Sequence, residues 1–240
     1  MPEGMITKTS GDSSVVVNPA GARIQKLILK GHTILSTVSR GDGKEGSTHP
    51  CSPIFGPEIS TSYGLPQHGP VRNSVCTVQQ TDNSVTLTCP VESGTYPSGI
   101  TMTQTIEIQP GVCIITTTHE NTGPQEAPVN FGEHFYWNTP EGWDALTLNG
   151  TPVHSQIAGN QLISLPQVNT ISISGLPAVT LRQDGYEFMM LWTYRSTSGA
   201  YDRSYACLEP VEGDPTEFFG SRRSMVLPQS KRTNTLRISI

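Results

Sequence analysis

An apolar–polar alternation in residues 100–109 constrains the fold of this chain more than any other sequence feature. Four apolar side chains fall on one face of an extended backbone here, namely Ile100, Met102, Ile106 and Ile108. The odd-numbered positions between them carry three threonines and Glu107. A period of two is typical of a half-buried β-strand. Pro110-Gly111 then supplies a turn, so residues 112–120 are predicted to return as the neighbouring strand.

Similar strand patterns recur along the chain. Residues 74–80 and 84–90 flank Thr81-Asp82-Asn83, whose residue types favour a hairpin tip. Asn149-Gly150 precedes a threonine and so forms a glycosylation sequon, but this dipeptide is also the commonest hairpin turn, and we interpret it as a turn. Further strands are predicted at residues 145–150, 169–175, 178–183, 186–194, 205–210 and 235–240, with two or three more between residues 14 and 36.

The number of these segments sets the fold class. More than ten strands are predicted, and no helix longer than a turn or two. The 23 glycines and 19 prolines fit a chain with many turns between short strands. We therefore expect an all-β fold, a large antiparallel β-sandwich built from two sheets. A length of 240 residues suits one such domain spanning residues 1–240.

Charge and hydropathy exclude several classes of partner. The formal net charge is −5, so the chain has no broad basic surface for nucleic acid. No stretch approaches the roughly 18 consecutive apolar residues of a membrane span. The N-terminal residues lack the apolar core of a secretory signal. We expect a cytoplasmic protein without nucleic-acid or membrane partners, and the sequence leaves its oligomeric state open.

The five cysteines are widely spaced and contain no Cys-x-x-Cys pair, which argues against a zinc site. Several lie in apolar strand segments, where a free cysteine behaves as a small hydrophobe. We predict that all five are reduced thiols, as is usual in the cytosol. No metal and no cofactor are expected.

The segment from residue 39 to residue 73 differs from the rest, because it is rich in glycine and proline and shows no strand periodicity. A loop of this length inside a domain is usually functional or disordered. It contains several large apolar residues, so we predict an ordered functional loop. Two of its residues, His68 and Arg72, are candidates for ligand binding.

Two further places concentrate acid–base side chains near aromatic residues. Glu133 and His134 precede Phe-Tyr-Trp, and Glu209 lies in an apolar strand just before a proline. If residues 131–137 are extended, Glu133 and His134 point to opposite faces, so only one of them can line a pocket. Tyr136 would then share the face of His134, and Trp137 that of Glu133.

Four segments together resemble the aldose 1-epimerase and hexose-6-phosphate 1-epimerase superfamily. LPQHGPVRN is similar to its His-Gly-x-x-Arg element, and ENTGPQEAPVNFGEHFYWN to its Asn-Thr-Gly … Pro-x-x-x-Gly-x-His-x-Tyr-Phe stretch. Residues 186–210, with Trp192 and CLEP, resemble its late Trp … Cys-x-Glu-Pro strand, and VLPQSKRTNTLRISI its closing strands. The order and spacing match from about residue 20 to residue 240.

This resemblance implies a galactose mutarotase-like β-sandwich that interconverts the α and β anomers of an aldohexose or hexose 6-phosphate. By motif position, His134 would be the general acid and Glu209 the general base. His68 and Arg72 would orient the sugar, and Trp192 is the aromatic residue we would test as a sugar platform. The chemistry needs these residue types, because ring opening moves one proton from the anomeric hydroxyl and another to the ring oxygen.

The chain departs from the family in two places. Residues 151–170 contain no acid, where the family often has an aspartate that contacts sugar hydroxyls. Ser47-Thr48-His49 stands where hexose-6-phosphate members tend to have Arg-Gly-Gly, although Arg40, Arg72 and Arg222 could supply positive charge. His49 itself is interpreted as surface or structural, as are His32, His119 and His154.

Two other functions are compatible with the same residues. The first is a non-catalytic carbohydrate-binding protein on the same fold. The second is a glycoside-cleaving enzyme with two carboxylates, which would pair Glu209 with Glu133 or Asp144. The strand alternation argues against Glu133 if His134 faces the pocket.

Overall fold

The predicted strands form two large antiparallel β-sheets in the computed structural model, which describes residues 4–56, 63–219 and 224–240. The described residues form twenty-three strands: β1 (Ile6–Ser10), β2 (Ser13–Asn18), β3 (Arg23–Leu29), β4 (His32–Ser36), β5 (Val38–Ser39), β6 (Glu45–Gly46), β7 (His49–Cys51), β8 (Thr77–Gln80), β9 (Ser84–Pro90), β10 (Ile100–Gln109), β11 (Val112–Asn121), β12 (Ala127–Val129), β13 (Gly132–His134), β14 (Trp137–Asn138), β15 (Thr147–Leu148), β16 (Thr151–Pro152), β17 (Gln161–Ser164), β18 (Val168–Ser172), β19 (Val179–Asp184), β20 (Phe188–Trp192), β21 (Tyr205–Val211), β22 (Ser224–Val226) and β23 (Ser230–Ser239). Helical structure in these ranges is limited to α1 (His154–Gly159) and two short 3-10 segments, Val71–Asn73 and Pro215–Phe219.

The first sheet has ten strands in the order β1-β2-β3-β4-β14-β21-β13-β7, and β20 and β17 branch from β21. The second has nine strands in the order β16-β15-β18-β19-β23-β11-β10-β9-β8. Two small ribbons, β5–β6 and β12–β22, lie outside these sheets. The all-β sandwich predicted from the sequence is therefore confirmed.

The hairpin of β10 and β11 lies at the centre of the nine-stranded sheet. Its register runs from Ile100 opposite Asn121 to Gln109 opposite Val112, with the turn at Pro110-Gly111 as predicted. Alternate residues of both strands are buried. The buried set includes the four apolar side chains whose spacing predicted the strand, and it belongs to the main hydrophobic core. Removing this apolar area from water is the main source of stability for such a layer.

Turn chemistry explains the hairpin of β15 and β16. Asn149 and Gly150 have φ values of 53° and 78°, and they connect Leu148 to Thr151, which lie opposite each other. Positive φ at both central residues is the geometry that favours Asn-Gly in a two-residue hairpin. The turn interpretation of this dipeptide is confirmed.

The predicted loop at residues 39–73 is more regular than its sequence suggested. It contains the β5–β6 ribbon and β7, which joins the ten-stranded sheet beside β13. These strands are two or three residues long, too short to show a hydrophobic period. Residues 57–62 of this segment lie outside the described residues, as does Arg222.

The prediction that all five cysteines are reduced thiols is wrong for two of them. Cys76 and Cys89 form a disulfide, with their Cα atoms 4.6 Å apart. The reason is the register of the β8–β9 hairpin, in which Thr77 lies opposite Thr88 and so brings the next pair of residues together. Cys51, Cys113 and Cys207 are free and buried.

The short helix α1 ends at a residue suited to that position. Its C-cap is Asn160, which has left-handed φ and ψ values of 53° and 58° and whose N–H bonds to the carbonyls of Gln156 and Ile157. Asparagine is one of the few non-glycine residues that adopts this conformation routinely. Across the described ranges, no helix has the length and apolar character needed to cross a membrane.

Candidate functional site

A cavity of about 470 Å³ lies on the face of the ten-stranded sheet that is turned away from the nine-stranded sheet. Its floor comes from three strands, which contribute His134 (β13), Met190 and Trp192 (β20), and Glu209 (β21). Its walls come mainly from the segment between residues 40 and 73. All five residues predicted to form the site line this one cavity: His68, Arg72, His134, Trp192 and Glu209.

The two faces of β13 have different functions. Glu133 points into the sandwich, where its carboxylate accepts hydrogen bonds from Gln104 (2.6 Å) and Thr117 (3.4 Å) of the nine-stranded sheet. His134 points the opposite way, into the cavity, as strand alternation predicts. Tyr136 shares the face of His134, and the two rings stack with centroids 4.8 Å apart.

Strand pairing brings the candidate acid and base into contact. Nδ1 of His134 lies 2.7 Å from Oε1 of Glu209, and both side chains are almost completely buried. The two atoms are close without being aligned as a hydrogen bond, and neither has another hydrogen-bond partner among the described residues. These two buried atoms therefore face each other, while other parts of both side chains line the cavity.

Burial shifts the pKa of each member of this pair toward its uncharged form. Desolvation raises the pKa of Glu209 well above its ordinary value, and an interaction with the Cys207 thiol partly opposes this. Desolvation also lowers the pKa of His134 to about 3, and the positive charge of Arg40 lowers it further. A carboxyl group with a raised pKa is a better proton acceptor, and an imidazolium with a lowered pKa is a better proton donor.

Three imidazole rings meet at the cavity. The ring of His134 stacks on His49 with centroids 5.0 Å apart, and it contacts His68 edge-on at 5.3 Å. His49 lies directly opposite His134 in the pairing of β7 with β13, and directly opposed residues in a sheet share a face. The sequence interpretation of His49 as surface or structural missed its place in the cavity wall, because a three-residue strand gives no periodic signal.

His68 is held by an unusual backbone conformation. Its φ is 59°, followed by Gly69 at 74°, and its Nδ1 accepts a hydrogen bond from the N–H of Gly56 (3.3 Å). A Cβ atom on residue 69 would overlap the carbonyl group of Ser52, so glycine is required there. Burial, followed by the nearby His134, lowers the pKa of His68 to about 2, which keeps its ring neutral at physiological pH.

Three arginines surround the cavity, and only Arg72 was predicted as a binding residue. Arg23 donates to the carbonyl oxygen of Arg72 (3.0 Å) and to Ser47 Oγ (3.2 Å). The guanidinium of Arg40 lies over the ring of Trp192, 5.2 Å from its centroid. Within the described chain, Nε of Arg72 is buried without a hydrogen-bond partner. From the sequence, Arg40 was named only as a possible source of positive charge, and Arg23 lies in no recognisable motif.

Asn160 occupies the part of the cavity to which residues 151–170 contribute. Its side chain is exposed and carries an amide, which can both donate and accept hydrogen bonds. Asn160 is therefore a neutral polar residue of the cavity lining in the region where the chain lacks an acid.

The comparisons with known proteins address this fold and site. The family model for aldose 1-epimerase matches residues 5–170, more than half of the chain. The chain belongs to the aldose 1-epimerase family. The matched part of this aldose 1-epimerase family member includes His68, Arg72 and His134, whereas Trp192 and Glu209 lie beyond it. A search of curated proteins gave no match.

Solved structures similar to this aldose 1-epimerase family member share its fold at low sequence identity. A galactose mutarotase-like protein from Lactobacillus casei superposes with a TM-score of 0.80 at 17% identity, covering 98% of this chain and 99% of its own. A galactose mutarotase related enzyme from Lactobacillus acidophilus gives 0.78 at 15% identity, with 98% and 96% covered. A galactose mutarotase-like protein from Clostridium acetobutylicum gives 0.76 at 16% identity, with 98% and 94% covered. The fold is therefore galactose mutarotase-like.

Proposed function

We propose that this protein is an aldose 1-epimerase that interconverts the α and β anomers of an aldohexose or hexose 6-phosphate. The observation that carries the proposal is the His134–Glu209 pair, with a 2.7 Å contact at the floor of the cavity. The family match and the mutarotase-like fold support the same reaction class.

In the proposed mechanism, Glu209 takes the proton from the anomeric hydroxyl while His134 gives a proton to the ring oxygen. The C1–O5 bond breaks and an open-chain aldehyde forms. Rotation about C1–C2 presents the other face of the carbonyl group, and ring closure returns both protons with the roles exchanged. The pKa shifts place the single proton of the resting pair on Glu209, so this proton first passes to Nδ1 of His134 across the 2.7 Å contact. The resulting carboxylate and imidazolium carry out the step, and the pair ends each cycle with its one proton restored.

Four neighbouring side chains hold the sugar in this proposal. His68 and Arg72 donate to or accept from its hydroxyl groups, and Asn160 does so from the helix end. Trp192 offers an apolar ring face at the side of the cavity, against which the C–H face of a sugar can pack. These contacts fix the anomeric centre against the acid–base pair, which is how positioning lowers a reaction barrier.

The arginines favour the phosphorylated sugar over the neutral one. Arg23, Arg40 and Arg72 line the cavity, and guanidinium groups bind phosphate oxygens through paired charge-assisted hydrogen bonds. Lys44 and Glu45 lie exposed at the rim, and their opposite charges largely offset each other. The proposed substrate is therefore a hexose 6-phosphate ahead of a free hexose.

The alternative of glycoside cleavage by two carboxylates has no support from the described site. Glu133 faces the sandwich interior, and Asp144 is an exposed partner of Arg203 outside the cavity. A non-catalytic sugar-binding protein is the remaining alternative, because His68, Arg72 and Trp192 could bind a sugar without proton transfer.

The test is NMR exchange between anomers of glucose, galactose and glucose 6-phosphate, with and without protein. We expect faster exchange for one of these sugars and its loss in Glu209→Gln and His134→Asn. Glu187→Gln and His32→Asn, which change exposed side chains, are the matched controls. Binding without acceleration in the unchanged protein would favour the sugar-binding alternative, and normal exchange in both site variants would overturn the acid–base assignment.

We also propose a cytoplasmic location, one domain over residues 1–240, and a small-molecule sugar as the partner. The net charge of −5 supports the absence of a nucleic-acid partner. The Cys76–Cys89 disulfide is more typical of oxidising compartments, so an extracytoplasmic location is the competing outcome of a direct test. Fractionation of the source cells, followed by immunodetection, provides it.

A further inference from the structure

Cys207 lies beside the acid–base pair, where its thiol interacts with Glu209, and it transfers no proton in the proposed reaction. It is on β21 two residues before Glu209, so both side chains point to the same face of the sheet. The Sγ atom of Cys207, a ring nitrogen of His134 and a carboxylate oxygen of Glu209 all lie within 4.8 Å of one another. Cys207 is fully buried, packs with Tyr136 and Tyr205, and does not line the cavity.

A second observation indicates that this cluster suits a ligand. His134 Nδ1 and Glu209 Oε1 face each other at 2.7 Å without the alignment of a hydrogen bond, and apart from this contact neither atom has a hydrogen-bond partner in the part of the chain that the structure describes. His134 is 7% exposed and Glu209 2% exposed. A cation between these two atoms would give each of them a well-oriented partner in place of this poorly aligned contact.

We propose that His134, Cys207 and Glu209 form a binding site for a thiophilic divalent cation, best matched by Zn²⁺, and that the bound cation inhibits epimerisation. The inhibition rests on the proposed function, because the cation would occupy the atoms that transfer protons. The binding itself does not depend on that function.

The donor set matches zinc in number and in type. Zinc binds cysteine sulfur, histidine nitrogen and carboxylate oxygen, and open zinc sites have three protein ligands and one free position. Tetrahedral zinc separates its ligand atoms by roughly 3.5 Å, so donors within 4.8 Å need small side-chain rotations to close on the ion. The free position faces the cavity. Ca²⁺ and Mg²⁺ prefer all-oxygen sites, so the sulfur ligand excludes them.

A divalent cation can bind beside several arginines if its own ligands cancel its charge. Arg23, Arg40 and Arg72 line the same cavity and repel a free cation. Coordination requires Cys207 as thiolate and Glu209 as carboxylate, so their protons leave for solvent. Two negative ligands and one divalent ion then sum to no net charge. The site therefore binds a cation while the arginines remain available to an anion.

The test uses Co²⁺ and Zn²⁺ on metal-depleted full-length protein. We expect Co²⁺ to give the thiolate-to-metal charge-transfer absorption of a cysteine ligand, and Zn²⁺ titration calorimetry to show one site per chain. Cys207→Ser should remove the absorption and weaken Zn²⁺ binding at least about tenfold. Cys113→Ser, a buried free cysteine on the other sheet, is the matched control and should retain both. Cys207→Ala serves if the serine variant does not fold, as judged by circular dichroism.

Activity gives the second readout. Zn²⁺ should inhibit anomer exchange by the unchanged protein and by Cys113→Ser, and a chelator should restore it. Whatever exchange rate Cys207→Ser has without metal, Zn²⁺ should leave that rate unchanged. Equal Zn²⁺ affinity in Cys207→Ser and Cys113→Ser would overturn the site, and binding without inhibition would overturn its effect on catalysis. If no sugar is epimerised, the Co²⁺ absorption and calorimetry still decide the metal site.

Discussion

Glu133 and His134 are consecutive residues, yet their side chains lie on opposite faces of the ten-stranded sheet. The carboxylate of Glu133 reaches the nine-stranded sheet, and the imidazole of His134 reaches the cavity. One dipeptide therefore ties the two layers together and presents a candidate catalytic group. We therefore expect substitution of Glu133 to change mainly the stability of the protein, and substitution of His134 to change mainly its activity.

Glu133→Gln should make the free energy of unfolding less dependent on pH. Burial raises the pKa of Glu133 to about 8 from an ordinary value near 4.5. A raised folded-state pKa means that its stability contribution is present below about pH 4.5 and is lost as the pH rises through about 8. Denaturant unfolding at pH 5 and pH 8 should show a stability loss in the unchanged protein of at most about 1.4 kcal/mol per unit of pKa shift, and a smaller loss in the variant. Equal losses in both proteins would contradict this assignment.

The acid limb of the epimerase pH profile should lie below the ordinary imidazole range. Burial, with Arg40, lowers the pKa of His134 to about 3, while burial raises that of Glu209. The pair therefore holds one proton over most of the pH range. A second proton, which would protonate both His134 and Glu209 and leave neither as a base, binds only at low pH. Anomer exchange measured between pH 4.5 and pH 9 should hold its rate well below pH 6.5. A midpoint of activity loss near pH 6.5 would show that a solvent-exposed histidine controls the reaction instead.

Arginine substitution should separate phosphorylated from neutral sugars. Arg72→Gln and Arg40→Gln each remove a positive charge from the cavity wall. We expect KM for glucose 6-phosphate to rise about tenfold, the equivalent of about 1.4 kcal/mol and within the range of one charge-assisted hydrogen bond. KM for glucose should change much less. Equal changes for both sugars would show that the arginines bind hydroxyl groups.

Gly69→Ala should disturb the site, and Gly31→Ala is its control. Both glycines have positive φ, 74° and 80°, so both variants carry backbone strain of about 1 kcal/mol. A Cβ at residue 69 also overlaps the carbonyl oxygen of Ser52, while at residue 31 it meets nothing within 4 Å. Gly69→Ala should therefore lose more stability and also weaken sugar binding through His68. Similar melting temperatures and similar KM values for the two variants would refute this.

Loss of the Cys76–Cys89 disulfide should lower the free energy of unfolding by about 2–4 kcal/mol, the range for a loop of this length. The two residues are separated by 13 positions in the chain. The double Cys→Ser variant and the unchanged protein would be compared by denaturant unfolding, with Cys113→Ser as control. Alkylation and mass spectrometry of protein taken directly from cells should find three free thiols. Five would mean that the bond does not form in that compartment.

The long strands with alternating burial could be predicted from the sequence, because burial of every second residue produces a matching alternation of apolar and polar residues. The hairpin of β10 and β11 and the Asn149-Gly150 turn are examples. The strands β7 and β17 were missed, since three or four residues give no reliable period and their pairing depends on distant partners. The disulfide was predictable in principle from the register that the Thr81-Asp82-Asn83 tip imposes.

The candidate site shows the same division. His68, Arg72, His134, Trp192 and Glu209 were identified from motifs, and the structure gathers them around one cavity. Arg23 and His49 were not identified as binding residues, and Arg40 was considered only as a possible source of positive charge, because their place depends on which strands lie side by side.

The cavity draws its floor from strands and its walls from the segment between residues 40 and 73. The strands are fixed by hydrogen bonding to their neighbours, whereas loops tolerate insertion and substitution with less cost to the fold. Substitutions and insertions in the segment between residues 40 and 73 can therefore change the shape and charge of the cavity while the strands of its floor keep their pairing. The proposed acid–base pair lies on strands outside that stretch, so such changes would leave its geometry in place.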